Sequence, residues 1–170
     1  MMGLSGTELS ERLGALQLVV FDFDGVFTDN RVWVSQDGVE AVACLRSDGL
    51  GLKRLAEVNV DAMILSTEVN PVVSARAAKL QLDCIQGSED KLVDLEAVLE
   101  SRALSWDDVA FVGNDINDAA CLKRVGLGVV VQDAWAEVCD LADLKLERPG
   151  GHGAVREFCD LVYKARKDLR

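Results

Sequence analysis

Apolar residues fall along this chain in two rhythms. Short unbroken runs at 16–21 (LQLVVF), 60–66 (VDAMILS), 82–86 (LDCIQ), 108–114 (DVAFVGN) and 127–131 (LGVVV) predict buried strands, with a weaker one at 143–147 (DLKLE). Elsewhere the apolar positions recur every three or four residues. Leu50, Leu52, Leu55 and Val58 predict an amphipathic helix over 47–58, capped by Ser47 or Asp48. Further helices are predicted over 70–80, with Pro71 at the first position, and over 88–104, 116–125, 134–142 and 153–169. A third pattern, in which Val32 and Val34 alternate, then Val42 and Cys44, about an Asp37-Gly38 turn, predicts a hairpin over 31–44.

Strand regularly followed by helix implies a doubly wound α/β fold with a mainly parallel sheet. The expectation is a single domain over 1–170, with the hairpin inserted after the first strand. Ligands in such folds bind beyond the carboxyl ends of the strands. Asp22 and Asp24 follow the first strand, and Ser66 and Thr67 the second. Lys91 opens the helix after the third, and Gly113, Asn114, Asp115 and Asp118 follow the fourth.

Those residue types have a common chemistry. One carboxylate can attack phosphorus and form an aspartyl-phosphate. A second, two residues on, can protonate the leaving alkoxide and then activate water. Acidic groups with a backbone carbonyl suit Mg²⁺, which prefers oxygen ligands. A hydroxyl and a lysine can hold phosphoryl oxygens and offset transition-state charge.

Composition narrows the picture. The formal net charge of −11 argues against nucleic acid as a partner, since backbone binding needs a basic face. It leaves room for a small anion held by a metal and a few cations. No apolar run reaches the roughly 18 residues of a membrane span, and the start (MMGLSGTELSERLGAL) lacks the features of a signal peptide. Cys44, Cys84, Cys121, Cys139 and Cys159 are dispersed without a CxxC pair, as expected of reduced thiols in a cytoplasmic protein.

DFDGVFTD at 22–29 resembles the first motif of the haloacid dehalogenase (HAD) superfamily. LST at 65–67, Lys91 and GNDINDAACL at 113–122 resemble its second, third and fourth motifs, in order. The resemblance implies Asp22 as nucleophile, Asp24 as general acid/base, and Ser66 and Lys91 as phosphate-binding groups. It implies Mg²⁺ held by Asp22, the Asp24 carbonyl and Asp115, with Asn114 and Asp118 orienting Lys91 and the metal shell.

The hairpin, RSDGLGL at 46–52, IQGSEDK at 85–91 and GGHGAVREFCD at 150–160 resemble the capless subgroup of that superfamily. That subgroup holds the 3-deoxy-octulosonate (KDO) 8-phosphate phosphatases. It also holds nine-carbon keto-acid (KDN or N-acylneuraminate) 9-phosphate phosphatases and the C-terminal domains of CMP-sialate synthetases. The implied assembly is a homotetramer whose hairpins pack together and whose subunits complete one another's sites.

Octulosonate phosphatases usually carry a Gly-Arg pair after the phosphate-binding hydroxyl. Here Thr67-Glu68 stands there, and Glu68, Arg76 and Lys79 resemble the nine-carbon branch. A nine-carbon 2-keto-3-deoxy acid 9-phosphate is therefore the expected substrate, with the octulosonate 8-phosphate as alternative. Two other classes are weighed against the enzyme. A non-catalytic tetramerisation domain is disfavoured by intact Asp22, Asp24, Lys91 and Asp115. A receiver-type signalling domain is disfavoured because Ile85-Gln86-Gly87 offers no phospho-acceptor after the third strand. An EF-hand fails because Gly25 sits at the wrong loop position.

Among the remaining signals, Gly126-x-Gly128 reads as a turn into a strand, and Trp106 and Trp135 as packing residues. RPGGHGA at 148–154, with His152, reads as a flexible loop able to close over the site.

Overall fold

The computed structural model describes residues 5–168. Six strands form one parallel sheet: β1 (Leu18–Phe21), β4 (Asp61–Leu65), β5 (Asp83–Ile85), β6 (Val109–Gly113), β7 (Leu127–Val130) and β8 (Leu144–Lys145), in the spatial order β5-β4-β1-β6-β7-β8. Numbered by occurrence in this sheet, that is 3-2-1-4-5-6. The order reverses between β1 and β6, where a crevice opens at the strand ends. β1 is paired on both sides, with Phe21 opposite Ile64 of β4 and Val112 of β6. A strand so enclosed must be apolar on both faces, and all four of its residues are buried.

Side chains of β1 alternate between two cores. Val19 and Phe21 join the larger one, beneath α1 (Gly6–Ala15), α2 (Asp48–Glu57), α3 (Val72–Leu80) and α7 (Ala154–Asp168). Leu18 and Val20 join the other, beneath α4 (Lys91–Arg102), α5 (Ala119–Arg124) and α6 (Ala136–Cys139). Phe21 meets Phe27 and Phe158 edge-on, with ring centroids 5.6 and 6.5 Å apart, which locks the turn after β1 onto α7.

Several expectations need correction. Residues 6–15, to which the sequence pattern assigns no element, form the helix α1, with Ser5 accepting the Glu8 amide as its cap. α3 starts at Val72, one residue after Pro71, because Asn70 Oδ1 takes the Val72 amide. α4 starts at Lys91 rather than 88: Asp90 caps it through the Leu92 and Val93 amides, and Ser88 N is committed to Ser66 O. The helix foreseen over 116–125 opens as a 3-10 turn at Ile116–Asp118 before α5. The terminal helix is described to Asp168, and residue 169 of its expected span lies outside the described residues.

The hairpin is shorter than predicted. β2 (Trp33–Val34) and β3 (Glu40–Ala41) form a separate two-stranded ladder, and Val42 to Leu45 leave it to pack on the body of the protein. The turn at Asp37-Gly38 is present, with Gly38 at φ +80° and its amide bonded to Ser35 O. Trp33 is 74% exposed. Trp135 is also exposed, which corrects its reading as a packing residue. No helix among the described residues is long and apolar enough to cross a membrane.

Candidate active site

The carboxyl ends of β1, β4 and β6 bring Asp22, Ser66, Lys91, Asn114 and Asp118 together, all of them buried. Lys91 arrives from the first turn of α4, held in place by the Asp90 cap. Its Nζ lies 2.8 Å from Asp22 Oδ1 and 2.7 Å from Asp118 Oδ1. Asp118 in turn accepts the Asn114 and Asp115 amides at its other oxygen, at 2.9 and 3.3 Å. Gly113 is required beside it, because a Cβ there would stand 2.5 Å from Asp118 Oδ2.

Charge is unbalanced in this trio: two carboxylates share one ammonium. Burial pushes the Asp22 carboxyl up to about 7, the Asp118 charge adds to that, and Lys91 pulls it back. Burial opposes the charge of Lys91, yet Asp22 and Asp118 outweigh it and raise its pKa. Lys91 therefore stays cationic, and Asp22 is the member whose charge is least supported.

Asp22 Oδ1 is taken by Lys91 and by the Phe23 amide at 2.7 Å. Asp22 Oδ2 and the Asp24 carbonyl converge instead on the Asn114 side chain. With its nitrogen turned toward them, that amide donates at 3.3 and 2.9 Å. Two oxygens aimed at one spot, with the half-buried Asp115 carboxylate on the adjacent loop, make an all-oxygen donor set that fits a hard cation. Among the described residues no three His, Cys, Asp or Glu side chains converge as a metal group. The donor set needs only two carboxylates, since Asp24 offers its main-chain oxygen and turns its side chain elsewhere.

That side chain meets Thr28 Oγ1, which donates to Asp24 Oδ1 at 3.4 Å. Burial raises the Asp24 carboxyl, the nearby Glu68 charge raises it further, and Thr28 and Lys91 oppose them. A carboxyl that retains its proton more readily is suited to general acid work.

Ser66 Oγ accepts the Glu68 amide at 3.2 Å, and Thr67 Oγ1 accepts from Asn117 at 3.4 Å, so the second and fourth strand-end loops are tied together. Glu68 Oε1 accepts the Asn70 amide at 2.7 Å, and its charge acts on Asp24. Asn70 Nδ2 reaches Glu40 Oε2 on the hairpin at 3.0 Å.

Arg76 and Lys79 are not brought to this cluster. The Arg76 guanidinium donates to Leu45 O at 2.9 Å, and Lys79 lines a groove of about 580 Å³ between α2 and α3, with Arg46 and Lys53. The 148–154 loop does not lie open above the site either. Gly151 N bonds to Val26 O, which holds the loop against the turn after β1, and Gly150 N bonds to Asp133 Oδ1 in the loop after β7. Sequence reasoning missed this contact, and with it Thr28, Asn70 and Glu40. Only Thr28 carried a signal, standing inside the DFDGVFTD run.

Comparison with known proteins identifies the family. The family model for haloacid dehalogenase-like hydrolases matches residues 62–155. The chain belongs to that family. A 3-deoxy-D-manno-octulosonate 8-phosphate phosphatase from Salmonella typhi is 32% identical, over 98% of this chain and 89% of its own length. The structure of the Yersinia pestis 3-deoxy-D-manno-octulosonate 8-phosphate phosphatase superposes with a TM-score of 0.91 at 31% identity, covering 95% of this chain and 88% of that one. The Moraxella catarrhalis phosphatase of the same name, solved in complex with magnesium, phosphate and KDO, gives 0.92 at 28% identity, covering 97% and 95%.

Proposed function

We propose that this protein is a Mg²⁺-dependent phosphomonoesterase acting on the phosphate ester of a 2-keto-3-deoxy sugar acid. KDO 8-phosphate is the leading substrate, because relatives matching nearly the whole chain are phosphatases of that ester. The observation that carries the chemistry is the Asp22–Lys91–Asp118 trio beside a cation-fitting group of oxygens.

In this reading Asp22 attacks phosphorus in line, and Asp24 gives its proton to the leaving sugar oxygen. Asp24 then takes a proton from water, which hydrolyses the aspartyl-phosphate. Ser66 and Lys91 hold the phosphoryl oxygens through both steps. Asp22, the Asp24 carbonyl and Asp115 would hold Mg²⁺, which would supply charge neutralisation for the phosphoryl group. Asn114 and Asp118 hold that geometry together.

A nine-carbon 9-phosphate is the second reading, favoured by Glu68. Its charge acts on Asp24, and its carboxylate can accept hydrogen bonds from a polyol or N-acyl group. Thr67 precedes it in the same loop.

The proposed assembly is a homotetramer. It is supported by the exposed Val32, Trp33 and Val34 on an isolated hairpin, and by the placement of Arg76 and Lys79 away from their own catalytic cluster. In the tetramer these two cations serve the carboxylate of a substrate held by a neighbour.

Phosphate release with Mg²⁺ from KDO 8-phosphate, KDN 9-phosphate and N-acetylneuraminate 9-phosphate tests the reading. Fastest release from the octulosonate supports the leading substrate; fastest release from a nine-carbon ester moves the assignment to the second. No release from any of the three, by a folded protein that binds Mg²⁺, removes both. Asp22→Asn should end turnover while the fold persists, and residual turnover in that variant is incompatible with the mechanism. Trp33→Asp should give a smaller species in sedimentation, and an unchanged mass would count against the hairpin as the contact.

A further inference from the structure

Thr28 lies four residues past Asp24 and is fully buried. A threonine hydroxyl has two lone pairs and one hydrogen. Both lone pairs are in use here: Gly25 N donates to Thr28 Oγ1 at 3.1 Å and Asn30 N donates to it at 3.2 Å. The hydrogen then has one acceptor within reach, Asp24 Oδ1, at 3.4 Å. The hydroxyl rotor is therefore fixed by the backbone, and its single donated bond is directed at a carboxylate.

The turn that carries this arrangement is itself immobilised. Gly25 sits at φ +79° with no space for a side chain against Asn114, and Asn30 sits at φ +63°. From behind, Gly150 and Gly151 press on the turn so closely that a Cβ on Gly150 would lie 1.9 Å from Gly25 O. A Cβ on Gly151 would lie 2.5 Å from Asp29 N. The main chain of 25–30 thus has little freedom, and Thr28 transmits that rigidity to Asp24.

We propose that Thr28 is a positioning residue that aims the Asp24 carboxyl at the leaving-group oxygen. The inference rests on the reading of Asp24 as general acid. Thr28 touches no substrate. It holds one Asp24 oxygen and leaves the other to carry the proton. A valine at the same position has nearly the same shape and cannot donate.

Leaving-group dependence separates aiming from folding. p-Nitrophenolate departs near neutral pH without a proton, whereas a sugar alkoxide needs one. The test compares kcat/KM for p-nitrophenyl phosphate and for the sugar-acid phosphate turned over fastest, in wild type, Thr28→Val, Thr28→Ser and Asp24→Asn. Because unfolded protein lowers both values equally, the ratio is independent of the folded fraction. Thr28→Val should lose about tenfold or more on the sugar ester and about twofold on the nitrophenyl ester, within the range general acids supply. Thr28→Ser, which keeps the hydroxyl, should recover most of the sugar-ester rate.

Equal losses on the two esters in Thr28→Val would overturn the proposal and make Thr28 a structural residue. Failure of Thr28→Ser to recover the ratio would do the same. The Asp24→Asn variant tells the two failures apart. A strong preference for the nitrophenyl ester there, with none in Thr28→Val, sinks only the role of Thr28. Equal losses on both esters in Asp24→Asn sink the general acid itself, and the positioning role with it.

Discussion

Lys91 Nζ stands 2.8 Å from Asp22 Oδ1, with only 2% and 5% of the two side chains open to solvent. An ion pair this enclosed is costly to form and costlier to break, because whichever partner remains is a buried charge without a counterpart. Replacing Lys91 by methionine should cut kcat/KM by about a thousandfold or more, as loss of a buried transition-state donor does. It should also cost about 3 kcal/mol of stability, since Asp22 and Asp118 are then left facing each other. Phosphate release and urea melts on the same preparation measure both. A variant as stable as wild type would mean that the two carboxylates accommodate each other by sharing a proton.

Magnesium binding should depend on pH in a definite direction. The Asp22 carboxyl is raised to about 7 in the protein without metal, chiefly by burial, and it must lose its proton to bind a cation. Affinity should fall as pH drops through that value, with protons released on binding at pH 6 and few at pH 8. Calorimetry in buffers of different ionisation heat reads the proton count. Removing the ion with a chelator should lower the melting temperature more at pH 8 than at pH 6.

Asp48 lies in the first turn of α2 with 1% of its surface exposed, and neither carboxylate oxygen has a hydrogen-bond partner among the described residues. Burial is the main cause that lifts its pKa to about 6. A carboxyl raised on folding favours the folded state while protonated. Its contribution is fully present below the unfolded carboxylate value of about 4 and lost as pH rises through about 6. Asp48→Asn should therefore match wild type near pH 4 and exceed it at pH 7 by about 1–3 kcal/mol. Urea melts across that range decide it. A destabilised asparagine variant at pH 7 would mean that Arg76 and Arg156 need the negative charge.

Gly150→Ala should be among the most damaging small substitutions outside the acidic cluster. The added methyl would collide with Gly25 O, and two main chains would have to separate to admit it. The expected cost is about 1–3 kcal/mol, the usual size for overpacking, with a fall in kcat because the displaced turn carries Asp24. Thermal melts and steady-state rates measure the two effects. Full activity with lowered stability would show that the turn re-forms around the methyl.

Much of this was legible in the sequence because topology does the assembling. Unbroken apolar runs fix β1, β4 and β6 as neighbours at a switch point, so the residues just past them must meet. Asp22, Ser66 and Asp118 need no further information to be brought together. Lys91 joins them because Asp90 can cap the helix that presents it.

The parts that were hidden depend on contacts between distant residues or on competition among local ones. Nothing near Gly150 announces that it faces Gly25, more than a hundred positions away. Val42 and Cys44 alternate like strand residues, yet their alternation reflects packing of the returning chain in the larger core. α1 is carried by Leu9, Leu13 and Leu16, spaced four and three apart, a pattern masked by the polar residues around it. Resemblance to the nine-carbon branch groups Arg76 and Lys79 with Glu68 as ligands of one centre. On α3 both line a groove beside Val42 and Cys44, since a helix turns its side chains through about 100° per residue.

The pairing of β1 with β6 joins residues 18–21 to residues 109–112. Roughly 90 residues must therefore be made before the first strand finds its second neighbour, a slow closure on entropic grounds. Until then Asp22 and Asp24 have neither Asn114 nor the Asp118-anchored Lys91 beside them. On the ribosome the nascent chain thus carries its reactive acids unpaired and hydrated through most of synthesis. The nucleophile acquires its lysine-bound, desolvated state only when β6 emerges, so no shorter growing intermediate can possess the complete centre.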